Sequence, residues 1–217
     1  MTYHIITLFP TAFDSYLNES ILKRAIEDKK IKVKFYNPRD FTKGTSYADR
    51  RVDDKPYGGG PGMVIEALPV IKAIAKAMGK SGTKNKKVIW FTPSGKQFDT
   101  KYAKETVKKY EDIILVCGRY EGIDARVKKA FKVEEISIGP FVLTGGELPA
   151  MMLIDCISRQ VEGVLGDINS LEESRIACPD VYTRPEVIEY KGKKYKVPKV
   201  LLSGNHKLID EWREKQG

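Results

Sequence analysis

The sequence is poor in the residues that build metal centres, disulfide frameworks and catalytic triads. Its 217 residues include two histidines, His4 and His206, and three cysteines, Cys117, Cys156 and Cys178. Two histidines cannot furnish a His-rich metal site or an HExxH helix, and a Ser-His-Asp triad would have to use one of them. The cysteines make no CxxC pair and no balanced disulfide set, so reduced thiols and no metal ligands are expected. No apolar run approaches the roughly 18 residues of a membrane-spanning helix. Met1-Thr-Tyr-His leads straight into a strand-like run with no n-region or h-region. A soluble, cytoplasmic protein without a membrane partner is expected. Neither GxxxxGKS/T nor GxGxxG occurs, since Gly58-Gly-Gly60-Pro-Gly62 has the wrong spacing and no strand before it. That disfavours nucleoside triphosphate hydrolysis and Rossmann-type reduction. There is no internal repeat.

What is present is basic. Lys and Arg number 38 against 29 Asp and Glu, a formal net charge of +9, while 41% of residues are hydrophobic. A chain with that apolar content can bury a core, so the excess charge points to a polyanionic partner rather than to disorder. Nine lysines fall within residues 80–109, and five within 190–199, where Tyr190 and Tyr195 are interleaved. Lysine with tyrosine is the pairing used for phosphate contact and base stacking, although a lysine run is commonly a solvated face. The opposite bias appears over 162–180, where Glu162, Asp167, Glu172, Glu173 and Asp180 face only Arg175. That stretch has no periodicity and reads as a linker.

Strand and helix signals alternate. Tyr3–Phe9 is an apolar, β-branched run, Pro10 opens a helical pattern through Ile26, and residues 31–35 alternate with period two. Residues 67–78 read as a helix, Val88–Phe91 as a buried strand, Asp99–Tyr110 as a helix and Ile113–Cys117 as a second buried strand. A short helix at 123–131, a strand at 133–138 and a helix from Glu147 to Arg159 follow. This is the pattern of an α/β fold with a parallel sheet. Beyond the linker, Pro185 begins a basic stretch, Val200–Leu202 is briefly apolar, and Asn205 caps a last helix running to Gly217.

Each of the three central strands ends in a glycine-bearing turn: Thr92-Pro-Ser-Gly95, Gly118-Arg-Tyr-Glu-Gly122 and Gly139-Pro-Phe-Val-Leu-Thr-Gly-Gly146. In open α/β sheets ligands bind beyond the carboxyl ends of the strands, and glycines there let the main chain approach a ligand closely. Together the loops suggest a pocket built largely from backbone, although any one of them could be a tight turn. The run from Asp53 to Met63 is too rich in glycine for a strand or helix, and reads as a mobile, ligand-facing loop.

Seven ordered motifs carry a family resemblance: Thr7-Leu-Phe-Pro10, Pro56-Tyr-Gly-Gly-Gly-Pro-Gly-Met63, Val116-Cys-Gly-Arg-Tyr-Glu-Gly-Ile-Asp124, Val142-Leu-Thr-Gly-Gly-Glu-Leu-Pro-Ala150, Gly163-Val-Leu-Gly166, Tyr182-Thr-Arg-Pro185 and Leu201-Leu-Ser-Gly-Asn-His206. From the N-terminus to about Arg213 the chain resembles the bacterial tRNA (guanine-N1)-methyltransferase TrmD family of the SPOUT superfamily. The resemblance implies a parallel α/β fold with a C-terminal trefoil knot, over a knotted domain at 1–160. A flexible linker at 161–181 and a short tRNA-contacting segment at 182–217 complete the expected organisation. It further implies a homodimer with shared active sites that methylates N1 of the guanosine 3′ of the anticodon in tRNA, using S-adenosylmethionine.

By motif position, the resemblance places Thr92, Pro93, Gly95, Gly118, Arg119, Tyr120, Glu121, Ile138, Gly139, Pro140, Phe141, Val142, Leu143, Gly145 and Gly146 at the donor. Asp54, Tyr57, Gly58, Gly59, Arg184 and His206 fall on the substrate side, with capping or packing the alternative for the last two. Methylation at guanine N1 requires loss of its proton, with the charge shared by O6, so a base and a fixed cation are needed. The family's cation falls on Arg159, which otherwise reads as an i,i+4 partner of Asp155. The family's base is an aspartate; the best local match is Glu173, with Glu172 and Asp167 as alternatives. Mg²⁺ is kept as a candidate cofactor.

Two further departures stand out. An aspartate and a tyrosine usually occupy the positions of Pro140 and Phe141, and a proline has no amide to donate. The chain also ends at Gly217 where relatives of this kind continue, as a shortened or a compact variant would. A catalytically impaired tRNA-binding homologue, or a SPOUT enzyme acting on a different RNA atom, are the alternative readings.

Overall fold

The computed structural model describes residues 1–44, 46, 49–79, 85–166 and 180–216. The chain forms two compact units, Met1–Leu165 and Gly166–Gly217.

The first unit is built on a five-stranded sheet of β1 (Thr2–Ile6), β2 (Lys32–Tyr36), β5 (Lys86–Gln97), β6 (Asp112–Val116) and β7 (Val133–Ser137), in the order β2-β1-β6-β5-β7. Every pairing is parallel. The apolar runs of the sequence become the strands covered on both faces. Tyr3, Ile5, Ile89, Ile113 and Leu115 point to one face, where they meet α2 (Ser20–Glu27), α4 (Thr100–Lys109) and α6 (Glu147–Ser158). Ile6, Val88, Trp90, Ile114 and Val116 point to the other, against α3 (Ala67–Met78) and α5 (Arg126–Ala130). β2, whose period-two pattern carries Lys32 and Lys34, is an edge strand, where lysine discourages further pairing.

Three elements differ from the sequence reading. The helical pattern from Pro10 is broken into a 3-10 turn (Pro10–Phe13), α1 (Asp14–Leu17) and α2, because Asn18 closes α1 and Ser20 takes a left-handed φ of 48°. The run from Asp53 to Met63 is not wholly without regular structure. β3 (Asp53–Asp54) pairs antiparallel with β4 (Val64–Ile65), and the glycine-rich stretch closes that ladder. Thr92–Gly95 is an excursion inside β5, whose pairing with β7 stops at Phe91 and resumes at Lys96. A Cβ on Gly95 would lie 2.6 Å from the Ile136 nitrogen, so only glycine lets β5 return so close to β7.

In the second unit β8 (Val187–Tyr190) and β9 (Lys193–Lys196) form an antiparallel hairpin, followed by a 3-10 turn (Lys199–Leu202) and α7 (His206–Glu214). The sequence reading has only a basic stretch where the hairpin lies, because its strands are short and bury no residue. The turn residues Lys191 and Gly192 both have positive φ, the backbone that a two-residue hairpin connection needs. Asn205 caps α7 by accepting from the Leu208 N–H at 3.4 Å. Among the described residues no helix is long and apolar enough to cross a membrane.

Candidate functional site

The three glycine loops, the first an excursion within β5 and the other two at the carboxyl ends of β6 and β7, meet around a cavity of about 310 Å³, within the range of small-ligand sites. Thirteen residues expected at the donor line it: Thr92, Pro93, Gly118, Arg119, Tyr120, Glu121, Ile138, Gly139, Phe141, Val142, Leu143, Gly145 and Gly146. Gly95 and Pro140 do not. Gly95 is spent on the approach to β7, and Pro140 is exposed outside the lining.

The second and third loops are stitched together by main chain. Arg119 and Gly145 form an antiparallel bridge, and the Gly146 N–H donates to the Gly118 carbonyl at 2.9 Å. A Cβ on Gly146 would lie 2.6 Å from Cys117 Cα, and one on Gly145 would lie 2.4 Å from Arg119 Nε. These two glycines are therefore required by close approach rather than by dihedral freedom. Tyr120 is held at a positive φ of 58°, uncommon for an aromatic residue, and is half exposed at the rim.

A buried polar relay fixes one wall. Glu147, the first residue of α6, is sealed from water; it accepts from Thr7 Oγ1 at 2.7 Å and from Arg119 Nε at 2.9 Å. A carboxylate in the first turn of a helix is favoured by the unpaired amides there. The Arg119 guanidinium also lies 4.7 Å from the Phe9 ring centroid. Neither Thr7 nor Glu147 was singled out in the sequence as functional, although both sit in its motifs. The available signal was an acid between two glycines and an apolar helix. Below the pocket floor, burial and the neighbouring Glu147 push the Cys117 thiol well above its usual pKa.

Asp54, Tyr57, Gly58 and Gly59 do not line the cavity and are exposed. Their loop is nevertheless tied to its rim: Glu121 N–H donates to Met63 O at 3.0 Å, and Ile65 N–H donates to Gly122 O at 3.0 Å. A Cβ on Gly62 would lie 2.5 Å from a Glu121 carboxylate oxygen.

Arg159 is not at the cavity of its own chain. It follows the last residue of the twelve-residue α6, which puts it about 18 Å along the axis from Glu147 at 1.5 Å per residue. Its neighbour Ser158 contacts Tyr3 at the start of β1, where the two hydroxyls are 2.9 Å apart. One turn back, Asp155 accepts a hydrogen bond from Tyr16. Glu173, Glu172 and Asp167 lie outside the described residues. In the second unit Arg184 is exposed, and His206 is the exposed first residue of α7. Among the described residues no three His, Cys, Asp or Glu side chains come together as metal ligands.

Comparison with known proteins agrees over the full length. The family model described as tRNA (Guanine-1)-methyltransferase TrmD matches residues 1–217. A tRNA (guanine-N(1)-)-methyltransferase of Clostridioides difficile (strain 630) is 48% identical, over 100% of this chain and 92% of its own. One from Carboxydothermus hydrogenoformans is 47% identical, over 100% of this chain and 82% of its own. The crystal structure of the tRNA (m1G37) methyltransferase from Aquifex aeolicus superposes with a TM-score of 0.77 at 38% identity, covering 99% of this chain and 88% of that one.

Proposed function

We propose that this chain, which belongs to the tRNA (guanine-1)-methyltransferase TrmD family, methylates N1 of the guanosine 3′ of the anticodon in tRNA. The observation that carries this reading is the pocket enclosed by the three glycine loops in a chain matched along its whole length. The fit of S-adenosylmethionine rests on the cradle itself. The cavity has the volume of a small-ligand site, Gly118, Gly139, Gly145 and Gly146 leave main chain in its lining, and Ile138, Phe141 and Leu143 supply apolar wall. Backbone groups of 138–143 and Gly118 would hold the adenosine, and the Arg119 guanidinium, fixed by Glu147, stands on the wall for an anionic group. The bound donor supplies an electrophilic methyl on a sulfonium.

The remaining chemistry falls to side chains. Glu173 takes the N1 proton, with Glu172 or Asp167 as the alternative carboxylate, and the Arg159 guanidinium stabilises the charge that develops on O6. α6 separates Arg159 from its own cavity, so a homodimer with shared sites is the arrangement that brings the two together. Exposed Leu148 and Met152, one turn apart on α6, with exposed Phe9 and Tyr16, support an apolar partner face there. The reading includes a trefoil knot in the C-terminal part of the 1–160 domain. It also takes 161–181 as linker and 182–217 as a tRNA-contacting segment with Arg184 and His206, and places Asp54, Tyr57, Gly58 and Gly59 on the substrate side.

The test is transfer of labelled methyl from S-adenosylmethionine to unmodified tRNA, with the product nucleotide mapped. N1-methylguanosine next to the anticodon, lost in Glu173→Gln, is the expected result. Incorporation at a ribose or at a different base would refute the assignment.

A further inference from the structure

The two faces of the β8–β9 hairpin differ in character. Directly opposed residues of an antiparallel pair share a face. Ile188 and Tyr195 therefore lie with Tyr190 and Lys193 on one side of the ribbon, and Val187 and Lys196 lie with Glu189 and Lys194 on the other. The first side carries both tyrosines of the hairpin, and they are open to solvent: Ile188 is 55% exposed, Tyr190 63% and Tyr195 49%.

The pair of Ile188 with Tyr195 would steady the ribbon whatever its use, since aromatic and β-branched residues pack well across strands. Tyr190 has no such duty. It stands beside the turn, opposite a lysine, and its ring has only the Lys191 ammonium at 5.4 Å from its centroid. Tyr190 and Tyr195 are diagonal neighbours, which places their backbones about 7–8 Å apart, so each ring has room to carry a flat group of its own. Around them the field is positive. Residues 186–199 hold five lysines against two glutamates, a surplus of three charges. A polyanion that also offers flat aromatic groups fits such a surface, and a nucleic acid is both.

Lysines alone would grip any phosphate backbone, paired or not. The rings narrow the choice. The major groove of an A-form duplex is too deep and narrow for side chains to read, so an aromatic ring meets an RNA base where the base has left the helix. On the reading of this chain as an enzyme of tRNA, we propose that the Ile188, Tyr190 and Tyr195 face of the hairpin is a stacking platform for unpaired nucleotides of the anticodon loop. Lys193 on the same face, with Lys194 and Lys196 on the other, takes the phosphates beside them.

The test measures binding of dye-labelled RNA to the full chain by fluorescence anisotropy, without methyl donor. Two RNAs with the same number of phosphates are compared, an anticodon stem–loop and a fully paired duplex. Tyr190→Leu and Tyr195→Leu keep an apolar side chain in the strand and remove the ring. Each should weaken stem–loop binding about tenfold, with duplex affinity and the salt slope unchanged. Tyr190→Phe and Tyr195→Phe keep the ring and should bind like the wild type. Removing loop bases other than that of the target guanosine should weaken the wild type more than the leucine variants. Leucine variants that bind the stem–loop as tightly as the wild type overturn the proposal. An equal loss for both RNAs also overturns it, since backbone contact alone would explain that result. So does dissociation of an oligomer in the leucine variants, seen by sedimentation, which would assign the face to a second copy of the chain. No turnover enters these measurements, so failure of the platform is told apart from failure of the methyl-transfer reading, which the mapped product decides.

Discussion

Arg119 and Glu147 form an ion pair whose two members differ in their access to water. Nε and Oε2 are 2.9 Å apart, with the Glu147 side chain 4% exposed and that of Arg119 27% exposed. The carboxylate is the buried anchor, and the guanidinium is what it presents to the pocket. Glu147→Ala strands both the Thr7 hydroxyl and the arginine, with an expected loss of about 3 kcal/mol in chemical denaturation. Glu147→Gln keeps an acceptor for Thr7 and should lose less, while still weakening donor binding by calorimetry. Equal effects of the two variants would count against the ion pair as the anchor.

The glycines of the cradle should not respond alike. Gly146→Ala places a methyl 2.6 Å from the Cys117 backbone, whereas at Gly118 the nearest atom is an Ile123 side-chain carbon at 3.6 Å. Gly146→Ala should therefore displace the third loop and cost at least about tenfold in S-adenosylmethionine affinity. Gly118→Ala should fold and melt like the wild type.

A shared active site has a clear signature in mixed dimers. Arg159→Ala should keep donor affinity and lose about a hundredfold or more in turnover. Gly145→Ala, which crowds Arg119, should lose donor binding. Each variant alone is expected to be nearly inactive, yet equal mixtures re-equilibrated from denaturant should regain about a quarter of wild-type activity, because one site in each heterodimer is intact. No regain on mixing would place Arg159 and the pocket in one protomer's site.

His4 gives a pH dependence of stability. It is buried in the middle of β1, with Tyr36 on one ring nitrogen at 2.9 Å and Asp112 on the other at 3.2 Å, and Lys86 is paired with the same aspartate. Burial lowers its pKa from 6.5, and Lys86 and Lys34 add to that, against the opposing pull of Asp112. The unfolded chain therefore binds the proton first, so stability should fall as pH drops from about 6.5 towards the lower folded-state value. Denaturant midpoints between pH 7.5 and 5 should show this slope. His4→Gln should flatten it.

The β8–β9 hairpin is expected to meet RNA. Ile188 opposes Tyr195 and Tyr190 opposes Lys193 on one face of the ribbon, and all four are exposed. Replacing Lys193, Lys194 and Lys196 with Gln should reduce the salt slope of tRNA binding by about one unit for each lysine that contacts phosphate. Tyr190→Ala should weaken binding with the slope preserved.

How far the sequence could be read depended on range. Doubly covered strands such as Ile113–Val116 show as apolar runs because both faces need apolar side chains, and the glycine loops mark where the backbone must come close. The break after α1 was hidden because Leu17 and Leu22 keep an apolar stripe across it while Asn18 and Ser20 end the helix locally. The hairpin strands are four residues each and fully exposed, too short and too rich in lysine for their alternation to stand out. The Thr7–Glu147 bond joins residues 140 apart, and the strand order that brings them together is not written in any local pattern. The distance of Arg159 from its own cavity likewise follows from the direction of α6 and not from the residue type. Glu173 rests on the motif match alone.

The state of Cys117 bears on the proposed binding of a sulfonium in the neighbouring pocket. Such a compound alkylates thiolates readily, and this thiol sits one residue from the glycine that floors the pocket. Full burial beside Glu147 keeps the proton on its sulfur. With the proposed donor in the pocket, this protonated thiol is no methyl acceptor.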